Sequence, residues 1–190
     1  GYTTIKELAS GKVLAQRTEY LQWMPKSNLY YYTRTGVAGR QLVVVDPLNG
    51  QETVWADNLP EGYFQVAPTE DWLLYSLTQE GPKERKEIYE VIEPDDRQPG
   101  WRNRSSLAKY DLKSGLMQPL TFGHHNAWGL DISADGRYVL MMTSRSRLTQ
   151  RPTTVSTLYK LDVQTLQAET LVAEDGFLSG TRFSPDGTQV

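Results

Sequence analysis

The sequence predicts an all-β protein, an incomplete β-propeller of about four four-stranded blade equivalents, and three observations in its 190 residues carry that prediction. A turn pattern recurs along the chain, a hairpin pattern recurs downstream of it, and the distance from each hairpin to the next turn is nearly constant. A recurrence of about 40 to 50 residues with four strands per unit marks propeller blades, each of which buries its faces only by stacking on its neighbours.

The turn occurs as Trp23-Met24-Pro25-Lys26-Ser27-Asn28, Val66-Ala67-Pro68-Thr69-Glu70-Asp71, Ile132-Ser133-Ala134-Asp135-Gly136-Arg137 and Phe183-Ser184-Pro185-Asp186-Gly187-Thr188. Proline pre-sets φ for the reversal, and Asp, Asn and Gly accept the remaining turn conformations. The runs that follow, Leu29 to Tyr32, Trp72 to Tyr75 and Tyr138 to Met141, are apolar on both faces, as strands of a doubly covered sheet are. The hairpin motif is Leu42 to Gly50, Leu107 to Gly115 and Leu158 to Leu166: a strand, an Asp that can bond local backbone, and a return strand. Return strands are expected at Glu52 to Trp55, Met117 to Leu120 and Gln167 to Leu171. The separations from Gly50 to Pro68, Gly115 to Ala134 and Leu166 to Pro185 agree to within one residue. Ile5 to Gly11 followed by Val13 to Ala15 reads as the second half of one more unit.

The expected organisation is a half blade at 1–17, a blade at 18–58, a blade at 59–124 carrying an insertion at 83–104, a blade at 125–175 and a truncated half blade at 176–190. The insertion falls between the second and third strands of its blade. Its six cationic and six acidic side chains mark a surface excursion. Ile88, Val91 and Ile92 have the spacing of a short helix ended by Pro94, slightly favoured over strand, which the Ile-Tyr and Val-Ile pairs also suit. Without the insertion the chain falls short of four blades at about 45 residues each, and Val190 precedes the strand that follows the other turns. A fragment of a longer chain is therefore expected; the competing arrangement joins the two half blades into a closed four-bladed ring.

Composition narrows the function classes. With 38% hydrophobic and 23% charged residues the chain is not a disordered tail, and no apolar run approaches the ~20 residues of a membrane-spanning helix. Twenty basic against 23 acidic residues give a net charge of −3, without the positive footprint that a nucleic-acid backbone requires. The absence of cysteine removes disulfides, thiolate metal sites and a Cys nucleophile. Gly1 to Lys6 lacks the basic-then-apolar pattern of a signal peptide, which leaves open one removed upstream.

Ser184-Pro185-Asp186-Gly187, its degenerate copy Ser133-Ala134-Asp135-Gly136 and the strand-Asp-x-x-x-Gly hairpins resemble the repeats of TolB-like β-propellers. The same repeat type builds the N-terminal propeller of the prolyl oligopeptidase and dipeptidyl peptidase IV group of serine peptidases. The resemblance covers the chain apart from the insertion. It implies an interaction scaffold, a gate in front of a peptidase site or, occasionally, a lyase, and an envelope or periplasmic location. The Gly-His and Trp-Asp pair of WD repeats is absent, and Pro25 and Pro68 are followed by Lys-Ser-Asn and Thr-Glu-Asp where the family prefers Asp-Gly.

Candidate chemistry is sparse. No Gly-x-Ser-x-Gly elbow is present, and the two histidines, His124 and His125, are adjacent in an inter-blade loop, poorly placed to share one proton path. Asp131 to Gly136 opens like a calcium loop, but the twelfth position is Met142 rather than a bidentate Glu, so neither a metal nor a cofactor is expected. Arg145, Arg147 and Arg151 form a basic stretch, read as a loop after Val139 to Met142. Such a loop either clamps a phosphate or carboxylate through guanidinium forks or is simply solvated. Trp101, Arg102 and Arg104 close the insertion and are of the types enriched at interface hot spots, although docking of the insertion onto its own blade is the favoured use of Trp101. Dipeptidyl peptidase IV-type propellers hold a substrate amino terminus with a pair of Glu residues, an arrangement that Glu87, Glu90 and Glu93 do not reproduce. The expected function is a non-catalytic module binding a protein or ligand. The alternative is the substrate-gating propeller of a prolyl-oligopeptidase-like enzyme whose catalytic domain lies elsewhere. A lyase of acidic saccharides would have to rely on His124, His125 and the Arg145 to Arg151 stretch.

Overall fold

The computed structural model describes residues 1–81, 102–123, 125–147, 150–176 and 178–190, and among these the regular secondary structure is all strand. β1 (Thr3–Lys6) and β2 (Val13–Arg17) form a two-stranded antiparallel sheet. Three four-stranded sheets follow, each a meander in chain order. The first contains β3 (Gln22–Trp23), β4 (Tyr30–Thr35), β5 (Arg40–Val45) and β6 (Glu52–Leu59). The second contains β7 (Tyr63–Val66), β8 (Trp72–Gln79), β9 (Arg104–Asp111) and β10 (Met117–Pro119). The third contains β11 (Ala127–Ile132), β12 (Tyr138–Ser146), β13 (Thr154–Asp162) and β14 (Ala168–Asp175). The architecture is that of a partial β-propeller, and no helix of the described residues is long and apolar enough to cross a membrane.

The repeated sequence produces repeated backbone geometry. In the four turns, the amides of Met24, Ala67, Ser133 and Ser184 donate to the carbonyls of Leu29, Trp72, Tyr138 and Gln189 at 2.9 to 3.0 Å. In the four hairpins, Glu7, Asp46, Asp111 and Asp162 donate to Lys12, Gln51, Leu116 and Gln167, while Gly11, Gly50, Gly115 and Leu166 donate back to the acidic residue's carbonyl. That last position is left-handed in every copy, with φ of 70°, 72°, 69° and 60°. Glycine takes this conformation without steric penalty, whereas Leu166 carries its Cβ against the following carbonyl. Turn and hairpin are tied at one end of a sheet by Leu112 N to Asp71 O and by Val163 N to Arg137 O, each 3.0 Å. Pro47 occupies the corresponding place in the β3–β6 sheet and has no amide to donate.

The chain divides into two compact units, Gly1–Glu61 with Val66–Leu73 and Asp111–Leu116, and Gly62–Gln65 with Leu74–Tyr110 and Met117–Val190. In the first unit, Ile5, Leu21, Tyr30, Tyr32, Val43 and Val45 form one buried cluster against which Leu14 and Ala15 pack, so the β1–β2 hairpin covers one face of the β3–β6 sheet. In the second unit Tyr75, Leu107, Val139, Leu140 and Leu161 are buried, and Tyr75 packs between Phe64 and Tyr110 with ring centroids 5.4 and 6.0 Å away. Each fully buried side chain of this size contributes about 1.5 to 3 kcal/mol through removal of apolar surface from water.

The insertion leaves after β8 and returns into β9, whose first residue is Arg104. Its two stems meet: Gly81 N donates to Asn103 Oδ1 at 3.0 Å, and a Cβ on Gly81 would lie 2.4 Å from the Arg102 carbonyl oxygen. A side chain at position 81 would force these backbones apart. The short helix expected around Ile88, Val91 and Ile92, and Trp101, lie outside the described residues.

Candidate functional site

The site is built on the far end of the β11–β14 sheet. Antiparallel pairing of β12 with β13 runs without a break from Tyr138↔Asp162 to Ser146↔Thr154. Arg145 is therefore a strand residue paired with Val155, and the loop expected after Met142 begins only at Arg147. The hydroxyl and β-branched residues Thr143, Ser144, Val155 and Thr157 suit a half-buried pleated surface and carry the strand past its apolar core. Because side chains alternate, the pairs Met141↔Tyr159, Thr143↔Thr157 and Arg145↔Val155 share one face.

β14 reaches this face through an irregularity. Its register with β13 shifts between Ser156 and Tyr159, and Glu174 in the shifted region has φ of 50°. A bulge re-aims the side chain it carries. Glu174 N donates to Thr157 Oγ1 at 3.3 Å, and its carboxylate accepts from both arginines: Arg145 Nη2 on Oε1 and Arg147 Nη2 on Oε2. Arg145 and Glu174 are 59% and 48% exposed and Arg147 29%, so these largely solvated ion pairs add about 0 to 1 kcal/mol each to stability. The bonds position charge more than they hold the fold.

Thr143, Ser144 and Arg145 of β12 and Val155, Thr157 and Tyr159 of β13 line a cavity of about 220 Å³. Glu174 and His125 complete its wall. Asn126, next to His125, accepts a 2.8 Å bond from Ser105 N, which brings the start of β9 to the same end of the sheet. The cavity thus lies at the end of the sheet near which β9 begins.

The structure brings together two of the residues singled out in the sequence, His125 and Arg145, with Arg147 joined to them through Glu174. Arg151 is exposed in the β12–β13 loop, Arg104 donates Nη1 to the Asn103 carbonyl at 2.9 Å, and neither they nor Arg102 line this cavity. Trp101 and His124 lie outside the described residues. Sequence reasoning missed Glu174, Thr143, Thr157 and Tyr159. Glu174 lies in Val172-Ala173-Glu174-Asp175, where no pattern distinguishes it from any solvated carboxylate. A second cavity, of about 460 Å³, lies on the other side of β13, between Leu158, Lys160, Leu171 and Val172 and the segment from Leu178 to Val190.

A different cluster occupies the first unit. Glu52 accepts from Arg17, from the Tyr32 hydroxyl at 3.0 Å and from Arg34 Nη1 at 3.1 Å, while the Arg17 guanidinium stands 4.5 Å over the Tyr32 ring. Burial alone would raise the Glu52 pKa, but the Tyr32 hydroxyl and the two arginines outweigh it and hold the carboxyl below its ordinary value. Burial, followed by the bond to Glu52, pushes the Tyr32 hydroxyl up. Asp131, which opens the calcium-like run, is used structurally: its Oδ2 accepts from Phe183 N at 2.8 Å. Among the described residues, no group of three or more His, Cys, Asp or Glu is placed to hold a metal ion.

No protein-family model matches the sequence, and no curated protein does. Solved structures do match. The chain is similar to TolB from Acinetobacter baumannii, with a TM-score of 0.54 and 12% identity over 98% of this chain and 41% of that one. It is similar to the uncomplexed acylaminoacyl peptidase of Pyrococcus horikoshii, with a TM-score of 0.60 and 12% identity over 95% of this chain and 29% of that one. It is also similar to an oligogalacturonate lyase solved in complex with manganese, with a TM-score of 0.53 and 13% identity over 97% of this chain and 50% of that one. The chain spans at most half the length of each of these proteins, and what it shares with them is the fold of a TolB-like propeller.

Proposed function

We propose that this chain is a non-catalytic TolB-like propeller module that binds a protein or ligand at the end of the β11–β14 sheet, with blades at 18–58, 59–124 and 125–175. The observation that supports it most is the convergence of His125, Arg145 and Glu174 with threonine and tyrosine side chains around one cavity. A rigid sheet presenting polar groups from three strands and a connector is how a scaffold offers a binding surface. The test is negative turnover: the purified protein should hydrolyse neither model peptides nor p-nitrophenyl esters, and a serine-reactive fluorophosphonate should not label it. Turnover abolished by replacing a single serine would overturn the reading.

The second reading, the substrate-gating propeller of a prolyl-oligopeptidase-like serine peptidase, draws support from the fold shared with the acylaminoacyl peptidase. Sequencing the gene past the codon for Val190 separates the two. A Gly-x-Ser-x-Gly elbow followed by Asp and His would favour the peptidase, and an end after further blades would favour the scaffold.

A further inference from the structure

We propose that the cavity on the β11–β14 sheet is a carboxylate-binding site, with Arg145 as the clamp and Arg147 as the residue that keeps Glu174 from cancelling it. The inference deepens the binding-module reading and rests on it.

Charge comes first. Glu174 is one negative group between two guanidiniums, bonded on Oε1 by Arg145 and on Oε2 by Arg147. The three side chains sum to one positive charge. Of the two arginines it is Arg145 that lines the cavity. Were Arg147 absent, Glu174 would neutralise Arg145 and the cavity would hold no net attraction for an anion.

A guanidinium presents five N–H groups, and among the described residues each of these two bonds Glu174 through a single nitrogen. The planar fork that remains on Arg145 matches a carboxylate. Thr143, Thr157 and Tyr159 add hydroxyls on the same face, suited to a second carboxylate oxygen or to a hydroxyl near it.

Size and net charge then choose the ligand. A cavity of about 220 Å³ equals the liquid volume of about seven waters at ~30 Å³ each, room for one small acid or one acidic side chain. A single excess positive charge suits a monoanion better than a phosphate dianion.

A carboxylate has two sources, a free hydroxy acid or the Glu or Asp side chain of a partner, and the test separates them. The Arg Nε–Hε resonances of 15N-labelled protein are followed while sodium lactate, the peptide acetyl-Gly-Glu-Gly-amide, or its neutral counterpart with Gln is added. Saturable shifts of the Arg145 resonance are expected with at least one of the two acids and none with the neutral peptide. Binding of lactate alone identifies a free acid as the source, and binding of the acidic peptide alone identifies a partner segment. Arg145→Gln should weaken binding at least about tenfold, equal to about 1.4 kcal/mol. Glu174→Gln should tighten it severalfold, an outcome that a merely structural Glu174 does not produce. Arg17→Gln, in the other arginine pair, should leave it unchanged. No saturable shift up to about 10 mM of either acid, an affinity unaffected by Arg145→Gln, or a loosened complex in Glu174→Gln would each overturn the proposal. Such failures leave the hydrolysis tests untouched, whereas turnover at a serine would sink the non-catalytic reading without altering the titration, so the two failures are told apart.

Discussion

Glu52 and Glu174 are each gripped by two arginines, yet the two carboxylates do different work. Glu52 sits at the start of β6, in regular pairing with Val45, and its arginines come from β2 and β4. The β2 residue belongs to the hairpin and the β4 residue to the sheet beneath it, so this network fastens one sheet to another over the buried cluster of Ile5, Tyr30 and Val43. Glu174 sits in a bulge at the edge of its sheet, and its arginines come from the end of β12 and the residue after it. That second network stays within one sheet beside a cavity. What an ion pair contributes is therefore set by what it spans: the first resists separation of two sheets, and the second arranges charge at little cost to the fold.

The largest expected effect distinguishes them directly. Glu52→Gly should destabilise by about 2 to 3 kcal/mol, since it removes the carboxylate shared by the Tyr32 hydroxyl and two arginines and adds backbone entropy to a strand. In calorimetry that is a fall in Tm of about 4 to 12 °C. Glu174→Gly should be neutral or stabilise by up to about 1 kcal/mol, because glycine relieves the left-handed backbone while only exposed ion pairs are lost. Equal losses at the two sites would break the comparison. Next comes pH. The Glu52 pKa is depressed in the folded state, so its contribution is complete above the unfolded value near about 4.3 and is lost as pH falls through the folded value. Glu52→Gln should flatten the acid limb of a plot of Tm against pH between about 5 and 3, and an unchanged limb would place the acid sensitivity elsewhere. A smaller effect calibrates the strain: Leu166→Gly, at φ of 60° without any ion pair, should raise stability by up to about 1 kcal/mol in urea titration. If Leu166→Gly stabilises more than Glu174→Gly, the difference measures what the arginine pairs are worth. The smallest effect should follow replacement of residues 82–101 by a two-residue turn. Because Gly81 and Asn103 are already bonded, Tm should move by no more than about 1 to 2 °C. Collapse of the fold would show that the insertion is part of the blade.

Strands and turns were legible because their signals are local. Pro68, Gly136 and the Asp-to-Gly spacing of Asp46 and Gly50 each impose a backbone conformation on their immediate neighbours, and that geometry recurs in the four copies. The end of β12 was not legible. Thr143-Ser144-Arg145-Ser146 has no apolar alternation, and its strand character comes from partners on β13 that only the register supplies. Glu174 was less legible still. A bulge displaces it by one position, and one position decides which face a side chain takes. The arginine cluster of the candidate site was visible as charge in the sequence, whereas the acid that organises it was not.

The joined stems of the insertion also bear on how such a chain can change over time. With Gly81 and Asn103 hydrogen-bonded, the intervening sequence starts and ends at one point, and each doubling of the length so closed costs only about 0.6 kcal/mol. Position 81 to 103 is thus a natural grafting point. A longer segment, or an entire foreign domain, can be exchanged there while the strands on either side keep their register, and whatever is grafted is delivered to the same end of the sheet as the cavity.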